Sequence, residues 1–170
     1  MLRDALVVVD GMGATVMTVP LGASPLRTNT IANVAQSVEG YEPKIAPAPN
    51  GLRVSDAVAN AVVRIDPQVS RIAYRRARGG AGVAVSRFGV WSTDSFNYVW
   101  RVAGGRLAKV RTGSGAIDVA ADKNGIWVVN RFSRTLVRVD ARLRIVRRIR
   151  ISRPPITVAA GGGYVGVAVR

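Results

Sequence analysis

Four groups of residues have the types and spacing that chemistry or binding would use. Glu39, Tyr41 and Glu42 lie within four positions of one another and hold both glutamates of the chain. They would supply polar contacts to a ligand or partner from a loop. Asp56, Asp94 and Asn130 recur at related positions. Such side chains either cap turns by accepting backbone amides or, gathered closely, ligate a hard cation. Because a cation of that kind wants several carboxylates together, turn capping is the expected role. Phe96, Tyr98 and Phe132 sit near strand–turn positions, where an exposed aromatic beside an arginine would suit stacking on a base or sugar. Arg142, Arg144, Arg148 and Arg150 crowd one short stretch and would meet a polyanion, or would simply keep a sheet edge from pairing.

Much other chemistry is excluded. The chain of 170 residues has no cysteine and no histidine. Disulfides, thiolate metal sites, cysteine nucleophiles and the commonest general base are therefore absent. The run Val7-Val8-Val9-Asp10-Gly11-Met12-Gly13 imitates a strand entering a dinucleotide turn, but Val16 stands at the third glycine position and no helical pattern follows. Gly161-Gly162-Gly163 lacks the Lys-Ser/Thr of a phosphate loop. No metal, cofactor-binding or catalytic residue is assigned.

Basic residues number 25 against 10 acidic ones, a net charge of +15. Arginine supplies 22 of the 25, a skew that biased coding alone would also produce. An excess of this size makes a polyanion a natural partner. No run of about 18 apolar residues occurs, so no membrane-spanning helix is expected. Met1-Leu2-Arg3-Asp4 has no signal-peptide character.

The elements that must position these residues are repeats. Val83–Trp91 and Val119–Trp127 align at an offset of 36 residues, glycine and tryptophan in register. Val158–Gly166 follows 39 residues later, and Ile45–Val54 is a fourth copy. Each reads as a hairpin, with Asn50-Gly51 and Asn124-Gly125 expected at the centres of type I′ turns. Leu136-Val137-Arg138-Val139-Asp140 matches Val62–Asp66 and, at an offset of 130, Leu6–Asp10. The segment Leu143–Ile151 alternates, with Leu143, Ile145, Ile149 and Ile151 on one face. Trp91 and Trp127 repeat with the unit and are expected to pack between sheets.

Four short strands per unit of 36 to 39 residues predict an all-β fold, a β-propeller of four-stranded antiparallel blades. A single domain over 1–170 is expected, with units at about 25–79, 80–115 and 116–154. Residues 5–21 and 155–170 would share one further blade as its outer and inner strands. Segment 26–42 breaks the period and reads as an insertion, with helical spacing at Ile31, Val34, Ala35 and Val38. The ring would be closed by the chain itself or by a second copy as a homodimer; otherwise the chain is a piece of a larger ring.

Gly125-Ile126-Trp127-Val128-Val129-Asn130 followed by Leu136–Asp140 resembles the repeats of bacterial YVTN and virginiamycin B lyase-like (NHL-type) propellers. The resemblance covers residues 43–170 and part of 5–25. It implies a ring that usually has seven blades and tilts localisation to the periplasm or outside the cell. The lyases of that group work through histidine and glutamate around magnesium, and none of that set has a counterpart here. What the resemblance implies is therefore a non-catalytic binding or scaffold module, such as the sensor or interaction part of a surface protein, binding a protein or small ligand. The alternatives are a lyase- or lactonase-like enzyme using Asp, Glu or Tyr, and an arginine-rich polyanion-binding module.

Overall fold

The computed structural model describes residues 5–10, 15–20, 29–31, 43–65, 71–74 and 80–170, with side chains placed for 43–65 and 80–170. Among the described residues there are strands and no helix. The first sheet holds β1 (Ala5–Asp10), β2 (Thr15–Pro20) and β3 (Asn29–Ile31). The first full blade follows with β4 (Ile45–Ala48), β5 (Gly51–Asp56), β6 (Ala61–Ile65) and β7 (Arg71–Tyr74). The second has β8 (Val83–Ser86), β9 (Gly89–Thr93), β10 (Tyr98–Ala103) and β11 (Arg106–Arg111). The third has β12 (Ala116–Asp122), β13 (Gly125–Asn130), β14 (Thr135–Asp140) and β15 (Ile145–Arg150). Last come β16 (Pro155–Gly161) and β17 (Tyr164–Val169) as a two-stranded sheet.

Every pairing is antiparallel between chain neighbours. The leading strands β4, β8, β12 and β16 pack against one another in that order, while β11 and β15 lie at exposed edges. Four-stranded meanders set side by side through their first strands are the blades of a β-propeller, here forming an incomplete ring.

Alternation places apolar side chains on both faces of each blade, because each blade is covered on both sides. Trp91, Val99, Val119, Ile126, Val128, Val137 and Val139 fill the space between the second and third blades. Trp127, Val129, Leu136 and Val158 fill the next interface. Both repeated tryptophans are buried, as their period predicts. In the first blade the equivalent position is Arg53, also buried.

Local chemistry differs from expectation at four points. Asn50-Gly51 and Asn124-Gly125 do not occupy turn centres. The pairs Ala48↔Gly51 and Asp122↔Gly125 make the central residues Pro49-Asn50 and Lys123-Asn124, and neither asparagine has positive φ. Glycine is needed for another reason in the later copies. A Cβ at Gly125 would stand 2.2 Å from the Val139 carbonyl oxygen, and one at Gly89 would stand 2.3 Å from that of Val102. The third strand passes too close for any side chain. The turns with positive φ at both centres are Gly104-Gly105 and Gly162-Gly163.

A register shift between Arg138 and Val139 breaks the alternation of Leu143–Ile151. Ile145 pairs with Val139 and Ile149 with Leu136, whose side chains enter different interfaces. A bulged residue reverses the facing of all that follows it.

The hairpin β1–β2 pairs Ala5↔Pro20 through Asp10↔Thr15 across a four-residue connection. That matches β13–β14, which pairs Gly125↔Asp140 through Asn130↔Thr135 across four residues. Residues 5–20 supply the first two strands of the three-stranded sheet β1-β2-β3. They also belong to a different sheet from residues 155–170. Ile31, expected in a helical turn, ends strand β3; Val34, Ala35 and Val38 lie outside the described residues.

Candidate functional site

The connections β5–β6, β9–β10 and β13–β14 leave their sheets on the same side of the molecule, here called the upper face. The interblade loops 80–82 and 112–115 leave on that side too. At each β-turn a polar residue (Asp56, Asp94 or Asn130) ends or directly follows the second strand, and two residues later an apolar side chain stands in solvent: Val58, Phe96 and Phe132. Phe96 is 72% exposed and Phe132 is 68% exposed. Removing side chains of this size from water is worth about 1.5–3 kcal/mol each, a gain left to whatever covers them.

The polar residues hold the turns. Asp94 Oδ1 accepts the amides of Phe96, Asn97 and Tyr98, each at 3.0 Å. Its Oδ2 accepts Trp100 Nε1 at 3.3 Å. Asp56 Oδ1 accepts the amide of Ala59 at 2.8 Å. Turn capping is therefore found at two of the three expected positions. Asn130 departs from it: its Oδ1 accepts the Thr112 hydroxyl at 2.9 Å and its Nδ2 donates to Thr135 Oγ1 at 3.2 Å. An amide both donates and accepts, so it bridges the blades where a carboxylate would only accept.

The loop Thr112–Gly115 joins the two phenylalanine turns. The amides of Gly115 and Ala116 donate to the Phe96 carbonyl, and Ser95 N donates to Ala116 O at 3.0 Å. On the other side Arg131 N donates to Gly115 O at 2.7 Å, and Ser114 N donates to Ser133 Oγ at 2.7 Å. Gly115 has φ of +74°, and a Cβ there would lie 2.7 Å from the Phe132 ring. Glycine at this one position lets the ring lie down against the loop. The result is a recess of about 430 Å³ lined by Ala57, Asn60, Gly80, Asp94, Ser95, Phe96 and Phe132. The backbones of Ser95, Phe96 and Phe132 on its rim are tied to residues 114–116 by main-chain bonds.

Of the residues singled out above, the structure brings Phe96 and Phe132 together here. Tyr98 lies beside them on the flank of the second blade, half-buried, with Trp100 at 6.4 Å between ring centroids. Lys109 Nζ lies 4.3 Å from the Tyr98 ring centre and 4.9 Å from that of Trp100. Glu39, Tyr41 and Glu42 lie outside the described residues. Arg148 and Arg150 lie on the edge strand β15, and Arg142 and Arg144 in the connection before it. Asn60 and Ser95 also line the recess, and the sequence does not single them out. Both have positive φ, at 49° and 66°, a requirement of the turn that sequence order does not display.

The aspartates whose side chains are placed are all engaged. Asp118 is buried and accepts Val119 N at 2.9 Å and Val158 N at 3.0 Å, together with the Thr157 hydroxyl. Asp122 accepts Trp127 Nε1 at 3.1 Å and pairs with Arg138 at 3.0 Å. Asp140 accepts the amides of Arg144 and Arg142 and pairs with the Arg144 guanidinium at 2.7 Å. The Arg144 amide is the main influence holding the Asp140 carboxyl below its ordinary range. No cluster of three metal-ligating side chains exists among the described residues.

No family model matches the sequence, and no curated protein is a detectable sequence relative. Solved structures do match the fold. Virginiamycin B lyase from Staphylococcus aureus superposes with a TM-score of 0.77 at 13% identity, over 97% of this chain and 59% of the lyase. A streptogramin B lyase gives 0.72 at 15% identity, over 96% and 61%. A chain of the nidogen/laminin complex gives 0.68 at 12% identity, over 98% and 73%. The chain thus spans about three-fifths of the length of the two lyases. These likenesses, all below 25% identity, are of fold: the chain is built like the β-propellers of the virginiamycin B and streptogramin B lyases and of a chain of the nidogen/laminin complex.

Proposed function

We propose that this chain is a non-catalytic propeller binding module whose upper face holds its ligand between Phe96 and Phe132. One observation carries the reading. Two phenylalanines at equivalent turn positions of neighbouring blades stay in solvent around a recess whose backbone is rigidly tied. Exposed aromatics on a pre-organised scaffold lower the entropic cost of binding. The engagement of Asp94 supports binding over acid–base chemistry, because all its hydrogen-bonding partners serve the turn.

The test is a thermal-shift screen of neutral aromatic fragments against the protein and against a Phe96→Ala/Phe132→Ala double variant. Fragments that stabilise the former and lose at least about tenfold in affinity for the latter meet the expectation, since one aromatic contact is worth about 0.5–1.5 kcal/mol beyond its area. Fragments that bind both proteins equally would place the ligand elsewhere.

A further inference from the structure

We infer that the ligand class of this face is single-stranded nucleic acid, with a base stacked on Phe132 and the phosphodiester chain following the edge of the third blade. The inference rests on the upper-face reading through Phe132 alone; the arginine edge is an independent observation.

Residues 80–170 carry sixteen arginines and lysines against four aspartates. Each of those aspartates is engaged within the fold, and Arg138 and Arg144 are held in ion pairs with Asp122 and Asp140. The uncompensated charge is not spread evenly. Strand β15 is exposed along most of its length and presents Arg147, Arg148 and Arg150. Its upper end meets the phenylalanine turn, because Arg150 pairs with Thr135 and Ile151 N donates to Arg134 O at 2.8 Å. Exposed Arg134 therefore lies between Phe132 and the strand. Arg148 Nη1 donates to the Thr112 carbonyl at 2.7 Å, which leans the row toward the same interblade loop that supports Phe132.

Guanidinium forks match phosphate oxygens in pairs, more closely than ammonium groups do. Arg148 and Arg150 stand on one face of β15, about 7 Å apart, and Arg147 on the other beside Arg138, so an extended phosphodiester chain running along the strand edge meets guanidinium groups from both faces. A flat aromatic beside such a row is the arrangement by which single strands are held without sequence preference. A lipid surface needs its charges and apolar side chains in one plane. Here the aromatics line a recess at one end of a linear row, which favours a strand over a membrane.

The experiment uses a fluorescently labelled ten-nucleotide oligothymidine and the full chain, with anisotropy read from about 0.05 to 0.3 M salt. Three proteins are compared: the parent, an Arg134→Gln/Arg147→Gln/Arg150→Gln variant, and Phe132→Leu. The parent binds with steep salt dependence. The arginine variant binds at least tenfold more weakly, and its slope of log affinity against log salt is shallower by about two, at about 0.7 for each phosphate no longer neutralised. Phe132→Leu binds about tenfold more weakly with an unchanged slope, because stacking carries no counterion. Absence of saturable binding at the lowest salt would overturn the inference. So would indifference of the oligonucleotide to Phe132→Leu, or equal binding of phosphatidylglycerol vesicles by parent and Phe132→Leu, since either makes the surface a generic anion binder. Loss of neutral-fragment binding in Phe96→Ala/Phe132→Ala, with no oligonucleotide bound by the parent, would leave the upper-face reading standing and remove only the nucleic acid.

Discussion

In the second blade the buried indole N–H of Trp91 donates to Ser86 Oγ at 2.9 Å, and Arg101 lies over the ring and reaches the Ala141 carbonyl on the next blade. In the third blade the same three positions hold Asp122, Trp127 and Arg138. Here the carboxylate takes both the indole N–H and the guanidinium, and Arg138 stays within its own sheet. The neighbour makes the difference. The second blade faces a four-stranded sheet whose β14–β15 connection offers a carbonyl, while the third faces the two strands β16 and β17. A recess of about 420 Å³ opens there, lined in part by Trp127, Arg138 and Tyr164. Repetition thus keeps the stacked Trp–Arg pair and leaves its polar partner to be set by what lies opposite.

Replacing the tryptophans tests that contrast most strongly. Trp91→Ala is expected to cost about 4 kcal/mol of stability, the usual range for a fully buried aromatic. Trp127→Ala should cost less, because its ring borders the open recess. Urea unfolding of the two variants measures both, and an equal or reversed ranking would break the comparison.

The glycines come next. Gly89→Ala and Gly125→Ala each drive a Cβ into a facing carbonyl and are expected to cost at least about 2 kcal/mol, of the order of other imposed backbone strain. Gly104→Ala has open space around it and a φ of +54°, so about 1 kcal/mol is expected from backbone conformation alone. Denaturation midpoints of the three variants would refute the close-approach account if Gly104→Ala proved the most damaging.

Smaller effects follow from charge. Raising salt from about 0.05 to 0.5 M should increase the melting temperature by screening the +15 charge. The Asp140 carboxyl is held below its ordinary value of 3.8 in the folded protein. Its stabilisation is therefore complete above that ordinary value and is lost as pH falls through the lower, folded one. Asp140→Asn should remove this acid-limb dependence, seen as a flatter profile of melting temperature below about pH 4.

The blade pattern was legible in the sequence because a fold made of local hairpins writes its period along the chain. Trp91, Trp127 and the strand runs around them announce it directly. What stayed hidden depends on residues distant in sequence. The glycine of Asn124-Gly125 looks like half of a turn, yet it answers to the Val139 carbonyl fourteen residues away. The bulge opposite Val139 reverses the facing of β15, and no composition signal marks it. At the candidate site, Phe96 and Phe132 could be singled out as aromatics near turns. Their meeting at one recess depends on Gly115 and on Asn130 bridging Thr112 to Thr135, none of which has a local signature.

The central claim is that the upper face, and not the lower turns, is where this protein binds. Amide chemical-shift mapping of the isotopically labelled protein, titrated with the best neutral fragment or with oligothymidine, tests it most directly. The account predicts perturbations gathered at residues 57–60, 94–97, 113–116 and 131–134 for the fragment, and at 131–134 and 147–151 for oligothymidine. Perturbations gathered instead at the lower turns 104–105, 123–124 and 162–163 would contradict it.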